Sequence, residues 1–420
     1  MRQGAVAGLV AVLSLAAVSV PFFRAQGKLR SAARQAREAV AARRGDEAGR
    51  LIDRWAELAP QSGEPDYYRA ILHVQSDRPA EALDAIRRSL ARGYPEDRPM
   101  ILRAVLLARA GQLDQAEPVL TRAFEGAAEP KSEVAEGLSR IYLKTFRLAE
   151  ATRVIESWVK AAPDDPRPYL LRNEVEERAD SGLAVLIRNY REALRCDPGL
   201  VGARLGLADR LREAALFDEA EAEYATLLRR DPGNIRGLVG AGRVALLKGD
   251  IPAASRRFEA ALTLDPRDKI ALRELGSIEL TNGQVARACS RLRLAVEVDP
   301  FDPEIRYSYA RALNIAGDTI RGAEEAATTD RLKKEHQRIA DLRQSLARRP
   351  DDVDLRGEAA KWLIEHGHEK EGLEWTGLIL RKRPGHPPTC RVLADYHAGR
   401  GELGLANYYR VSSTSTPADN

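Results

Sequence analysis

Apolar residues recur along this chain in pairs of short segments, each with the three- or four-residue spacing of one face of an α-helix. In residues 235–266 these positions are Leu238, Ala241 and Ala245 in the first segment, then Ala254, Phe258 and Ala261 in the second. Gly249-Asp250 separates the two segments, as is typical of a helix that ends at a glycine. Pro266 closes the second segment, because proline cannot continue a helix. The pattern predicts two antiparallel helices, a helical hairpin.

The hairpin repeats with a period of 34 residues. An Asp-Pro pair marks each step, at Asp197-Pro198, Asp231-Pro232, Asp265-Pro266 and Asp299-Pro300. Earlier prolines keep nearly the same spacing, at Pro60, Pro95, Pro130 and Pro163. A fixed period of this size indicates a solenoid, in which stacked hairpins bury a continuous core. We therefore predict an all-α fold with about ten hairpins over residues 28–411.

One interval is longer than the period. Pro300 and Pro350 are 50 residues apart, and the extra residues fall in 319–349, which holds no proline and no glycine after Gly322. A stripe of apolar residues runs through it, at Leu332, Ile339, Leu342 and Leu346. The pattern predicts one over-long helix, and a break at residues 328–330, with their N-cap side chains, is the alternative. Two coverings of the stripe stay open: neighbouring repeats, or a partner that includes a second copy of the chain.

The order of residue types in each hairpin resembles the tetratricopeptide repeat. That family has a bulky residue and Leu/Ala-Gly in the first helix, then Ala, an aromatic residue, Ala and a closing Pro. Two consecutive units match with Leu238, Ala241-Gly242, Ala254, Phe258, Ala261 and Pro266, and with Leu272, Leu275-Gly276, Ala288, Leu292, Ala295 and Pro300. The resemblance implies a right-handed superhelix of hairpins. It also implies a concave groove, lined by the first helices, that binds a protein or peptide without catalysis.

The resemblance assigns groove positions to the second, fifth, ninth and twelfth residues of each repeat. The candidate peptide-binding residues at these positions are Arg236, Arg243, Arg273, Tyr307, Arg311 and Asn314. Arginine makes strong charge-assisted hydrogen bonds to carboxylates, so a mildly basic groove favours an acidic peptide. The alternative is that an arginine-rich protein simply carries arginine on every surface.

Composition narrows the function. The chain has 66 Lys+Arg and 62 Asp+Glu, a net charge of +4 over 420 residues, which argues against a dedicated nucleic-acid binder. Its three cysteines, Cys196, Cys289 and Cys390, are far apart and form no disulfide framework or C-x-x-C metal motif. Nucleotide-binding, metalloprotease and serine-hydrolase motifs are also missing from the sequence. We predict a protein that is not an enzyme, with no cofactor and no metal site.

The N-terminus carries a possible membrane segment. Residues 5–23 are apolar apart from Ser14 and Ser19, and nineteen residues just span a bilayer as a helix. We predict a single-pass anchor in residues 1–24; the alternative is a cleaved signal peptide with Ala17-Val18-Ser19 as its processing site. Basic residues after the run favour a cytoplasmic repeat domain. Short N-terminal anchors usually have the opposite orientation, so the side stays open. Residues 412–420 are predicted to be a disordered tail.

The leading interpretation is a membrane-anchored, non-catalytic scaffold that docks a protein or peptide partner, similar to tetratricopeptide-repeat proteins of the bacterial envelope. A second is an exported protein with a cleaved signal that acts in envelope assembly or cytochrome maturation. A third is a regulatory module that binds a nucleic acid or an oligopeptide signal.

Overall fold

A computed structural model describes residues 26–126, 128 and 130–414 of the protein. Within these ranges the chain forms 22 α-helices and no β-strand, which confirms the all-α prediction. The proposed anchor in residues 1–24 and residues 415–420 of the tail lie outside the described part. No helix in the described part is long and apolar enough to cross a membrane.

The helices are numbered in chain order. They are α1 (26–41), α2 (Gly45–Leu58), α3 (Glu64–Gln75), α4 (Pro79–Ala91), α5 (Asp97–Arg109), α6 (Leu113–Glu125), α7 (Lys131–Lys144), α8 (Leu148–Ala161), α9 (Arg167–Arg178), α10 (Leu183–Cys196), α11 (Val201–Glu213), α12 (Phe217–Arg230), α13 (Ile235–Leu247), α14 (Ile251–Leu264), α15 (Lys269–Thr281), α16 (Val285–Val298), α17 (Pro303–Ile315), α18 (Thr319–Arg348), α19 (Val353–Glu365), α20 (Glu369–Lys382), α21 (Pro387–Gly399) and α22 (Leu403–Ser412). The chain divides into two compact units, unit 1 (Met1–Ile141) and unit 2 (Tyr142–Asn420).

A buried carboxylate organises part of unit 1. Asp66 in α3 is fully buried, and its oxygens accept hydrogen bonds from Arg69 at 3.0 Å, from Arg88 at 3.2 Å and from Arg92. Because a buried carboxylate is stable only when it is paired, these three arginines compensate its loss of hydration. Two of them lie on α4 or at its end, so the charge cluster joins the two helices of this hairpin.

In unit 2 the helices pair as antiparallel hairpins from α9/α10 to α21/α22. The turn inside each hairpin places one residue in the left-handed region of φ, which glycine adopts without steric cost. Gly249 is an example, with φ +84°, and the next amide, of Asp250, donates to the Ala245 carbonyl at 2.9 Å. This is the hydrogen bond of a helix that ends in a Schellman motif.

Large side chains of the second helices sit against glycines of the first helices. Phe258 is fully buried, and its ring atom Cε1 lies 2.6 Å from the place where a Cβ on Gly242 would stand. The ring of Tyr224, on α12 of the preceding hairpin, occupies the same kind of space at Gly240, which also lies on α13. A side chain at either glycine would separate the helices, so the small residues of the repeat pattern are required for this packing.

Four of the junctions between hairpins share a second contact. The residue six positions after the boundary proline donates to that proline's carbonyl. The distances are 2.8 Å for Arg204 to Pro198, 2.6 Å for Arg306 to Pro300 and 2.6 Å for Arg356 to Pro350, with the Tyr169 hydroxyl 3.1 Å from the Pro163 oxygen. Each bond satisfies a carbonyl that no helix uses.

Helix α18 is continuous over its 30 residues, 16 more than α14. The alternative of a break at residues 328–330 is wrong, because the Thr328 and Thr329 hydroxyls donate to carbonyls four residues earlier instead of capping a new helix. All four leucine and isoleucine residues of the predicted stripe are buried within this chain. Of the two coverings left open, helices of this chain cover these side chains, while self-association through residues 319–349 stays a prediction.

Two glycine substitutions test the packing with opposite signs. In Gly240→Ala the new Cβ would lie 2.3 Å from the Tyr224 ring, so the unfolding free energy should fall by about 1–3 kcal/mol. Gly377 lies inside α20, where a Cβ meets only the tip of Arg381 at 3.6 Å. Gly377→Ala should raise stability by about 0.5–1 kcal/mol, because alanine is the better helix former. Urea denaturation of both variants measures the two changes, and a stabilising Gly240→Ala would contradict the packing described.

Candidate functional site

The first helices of four consecutive hairpins in unit 2 line one face. Helix α11 contacts α13, α13 contacts α15, and α15 contacts α17. Ion pairs run from each helix to the next: Arg236 Nη2 on α13 is 3.7 Å from Asp209 Oδ2 on α11. Arg243 Nε on α13 is 3.4 Å from Glu274 Oε1 on α15. We call this face the first-helix groove, defined by the exposed and half-buried residues of α11, α13, α15 and α17.

Glu274 is the centre of the charge network. Its Oε1 also accepts from Arg273 Nη2 at 2.6 Å, and its side chain is only 15% exposed. Burial lowers the pKa of Arg243, and the nearby Arg212 lowers it further, while Glu274 raises it. The half-buried arginines and the carboxylate thus compensate each other's loss of hydration, and Glu274 partly neutralises the positive charge of this part of the groove.

Asp209 is held in the groove by a tyrosine from a second helix. The Tyr224 hydroxyl donates to Asp209 Oδ1 at 2.6 Å. Burial of the ring and the neighbouring Asp209 carboxylate both raise the pKa of Tyr224, so the hydroxyl keeps its proton and remains a donor. The carboxylate that faces Arg236 is therefore fixed by the same ring that packs against Gly240.

Helix α17 presents a different surface. Tyr307 is 49% exposed, and Lys333 Nζ, from α18, lies 5.3 Å from its ring centroid in a cation–π contact. Arg311 and Asn314 follow one and two turns later and are exposed. The Asn314 amide lies against Gly322 of α18, where a Cβ would come within 2.1 Å of Asn314 Oδ1. An aromatic face and two cations thus stand together at this end of the groove.

The six predicted groove residues fall into two groups. Arg236, Arg243 and Arg273 belong to the charge network, and Tyr307, Arg311 and Asn314 form the α17 surface. Their role in binding stays a prediction.

Three further residues of this face, Asp209, Glu274 and Lys333, were not among the predicted groove residues. The sequence could have pointed to Glu274, since oppositely charged residues 31 positions apart form ion pairs more than once, as in Arg243–Glu274 and Lys382–Asp351. No such spacing points to Lys333, because it lies beyond the length of an ordinary second helix.

Paired helices of 12 to 14 residues, stacked with a charged face along their first members, define a helical-repeat scaffold. Models of the tetratricopeptide repeat match residues 107–174, 205–254 and 239–291. The chain therefore contains tetratricopeptide repeats in these segments.

Solved structures of several proteins have a similar fold. PilW, described as a widely conserved type IV pilus biogenesis factor, is 18% identical, with 48% of this chain and 92% of that chain covered and a TM-score of 0.42. YrrB, described as a TPR protein with an unusual peptide-binding site, is 19% identical over 50% of this chain and 97% of that one, with a TM-score of 0.30. The human IFIT1 dimer with PPP-AAAA is 16% identical over 84% and 90%, with a TM-score of 0.38. At these identities the similarity concerns the fold alone. None of the curated proteins matches this chain.

The charge network predicts a stability difference between two glutamates. Glu274→Ala should lower the unfolding free energy by about 1–3 kcal/mol, because two half-buried arginines lose their acceptor. The matched control is Glu297→Ala on α16, whose partner Arg293 is 3.2 Å away at the surface. That change should stay within about 0.5 kcal/mol. Equal losses in urea denaturation would show that Glu274 has no special role.

Proposed function

We propose that the protein is a non-catalytic scaffold that docks an extended segment of a partner protein in the first-helix groove of unit 2. The tetratricopeptide-repeat fold supports a protein-interaction role. The groove supports it further, because α11, α13, α15 and α17 present one continuous face with half-exposed polar and aromatic side chains. Nothing in its charge network is arranged as a nucleophile with a base, so the proposed chemistry is recognition.

The proposal depends mainly on the α17 surface, formed by Tyr307, Arg311 and Asn314. Arg243 and Arg273 already contact Glu274, so their capacity to bind a partner's carboxylates is reduced. Arg311 is exposed and Tyr307 is half-exposed beside Lys333. Tyrosine and arginine are enriched among residues that dominate binding energy. We therefore place the principal contact with an acidic segment of the partner at α17 and the start of the α18 extension.

The apolar run of residues 5–23 supports a further part of the proposal, a membrane location with the run as a single-pass anchor. The second candidate is an exported protein that loses this run by cleavage. The passable small-residue motif Ala17-Val18-Ser19 favours that alternative.

Charge reversal at one groove position tests the binding site. We expect Arg311→Glu to weaken binding of a fluorescein-labelled acidic twelve-residue peptide by about tenfold, the equivalent of one charge-assisted hydrogen bond. Fluorescence anisotropy with the full-length chain measures the affinity. A lysine-rich peptide of the same length serves as the specificity control.

The control variant is Arg256→Glu, which makes the same charge change at an exposed position of a second helix, α14. It should leave the affinity unchanged. The groove proposal fails if both variants lose affinity equally, or if the lysine-rich peptide binds as well as the acidic one.

Membrane fractionation with N-terminal sequencing tests the proposed single-pass anchor. The anchor predicts an intact N-terminus in the membrane fraction, and deletion of residues 1–24 should move the protein to the soluble fraction, because no other apolar run of this length occurs in the sequence. A mature chain that begins at Val20 would instead establish the cleaved signal.

A further inference from the structure

The turn between α7 and α8 contains a bulky residue at a position whose backbone conformation favours glycine. Phe146 has φ +62°, in the left-handed region. The same place is Gly249, Gly283 or Gly317 in later hairpins of unit 2, and Ala215 in another. Among the described residues Phe146 is the one aromatic side chain with positive φ. A residue of this size adopts such a backbone conformation only when its surroundings stabilise it.

The Phe146 side chain is buried in another part of unit 2. It is 3% exposed and belongs to a core cluster with α18, α19 and α20. Its ring meets Trp375 edge to face, with centroids 5.2 Å apart. The Arg178 guanidinium lies over the ring at 5.3 Å. Both contacts are of the kind that stabilises aromatic side chains in interfaces.

Polar contacts flank the ring on the same turn. Lys144 Nζ is 3.0 Å from Glu374 Oε2, across 230 positions of sequence. Arg356 Nη2 donates to the Thr145 carbonyl at 3.3 Å, across 211 positions. These bonds join residues 144–146 to α19 and α20, far outside the nearest-neighbour contacts of a regular repeat array.

The long helix supplies much of the receiving surface. Ile339, Leu342 and Leu346 of the cluster lie beyond the fourteenth residue of α18, in the part that ordinary second helices lack. Leu363 and Trp375 complete the surface from α19 and α20. The extension of α18 therefore places an apolar surface where the Phe146 turn reaches it.

We propose that residues 144–146 form an intrachain clasp that seats on α18, α19 and α20 and closes unit 2 onto itself. The helices of the first-helix groove, α11 to α17, lie in the chain between the two halves of the clasp, so the clasp fixes the curvature of the groove. Opening the clasp exposes the Phe146 ring and the apolar surface that receives it, which makes this contact the conformational control point of unit 2. A partner that binds one curvature of the groove more tightly shifts the equilibrium between the open and the closed clasp. Closing the clasp in turn changes that partner's affinity by the same factor as the partner changes the equilibrium.

The effect of Phe146→Gly on stability should differ in sign between a docked and an undocked Phe146 ring. Glycine is the best residue for this φ, so an undocked turn would gain stability from the substitution. If the ring is docked, its loss leaves a cavity and removes the Trp375 and Arg178 contacts. We expect the thermal midpoint of unit 2 to fall by about 5 °C or more. The matched control, Ala215→Gly, changes an equivalent turn without a docked ring and should leave the midpoint unchanged or slightly higher.

Zero-length cross-linking measures the closed state directly. A carbodiimide joins an amine to a carboxylate only when they touch, so the wild-type full-length chain should yield an intramolecular Lys144–Glu374 link, identified by mass spectrometry of the monomer band. Glu374→Gln removes the acceptor and should abolish the link. Phe146→Gly should reduce its yield several-fold, and Ala215→Gly should not.

Three results would overturn the clasp. They are the absence of the Lys144–Glu374 link in the wild-type monomer, a link found only between differently isotope-labelled copies, and a Phe146→Gly variant at least as stable as the wild type. The wild-type measurement decides the matter even if Phe146→Gly fails to fold. None of these readouts depends on a groove ligand, so the clasp and the proposed scaffold function stand or fall separately.

Discussion

Several hairpins of unit 2 depend on the absence of a side chain at certain positions of their first helices. Phe258 against Gly242 and Tyr224 against Gly240 show the same arrangement, in which a ring fills the space that a Cβ would take. Because the helices can then approach closely, a thin layer of alanine and leucine forms a continuous buried core with few aromatic residues. The same packing sets the groove, because the Tyr224 ring that fills its glycine space also holds Asp209 with its hydroxyl.

The regular part of the fold was predictable because it repeats. The Asp-Pro steps from Pro198 to Pro300 fixed the register, and the helices from α11 to α17 follow it. The length of α18 was readable as well, since its excess over α14 equals the excess in proline spacing. The contact of Phe146 with the stripe of α18 was not readable, because Phe146 lies far away in sequence and periodicity carries no information on contacts at that separation.

The candidate site shows a similar limit. Counting arginines at groove positions suggested a basic surface, yet Glu274 and Asp209 lie against three of those arginines. A position count treats each side chain alone, whereas half-buried charges are stable only in pairs. The half-buried Arg243 and Arg273 therefore need a carboxylate beside them, whereas the exposed Arg311 does not. The net character of a groove in such a protein depends on its exposed cations more than on their total number.

The two irregularities of the chain belong together. In a regular solenoid each repeat contacts only its neighbours, so no contact between distant hairpins arises from the repeat itself. A distant contact needs a side chain that leaves its own hairpin and a surface that extends beyond the ordinary helix length. Phe146, at a position that favours glycine, supplies the first, and the extension of α18 supplies the second. Each feature is unfavourable alone, as a strained turn or as an uncovered apolar stripe. Their contact compensates the cost of the turn and covers the stripe, which explains why a chain otherwise so regular keeps the two departures at places that meet.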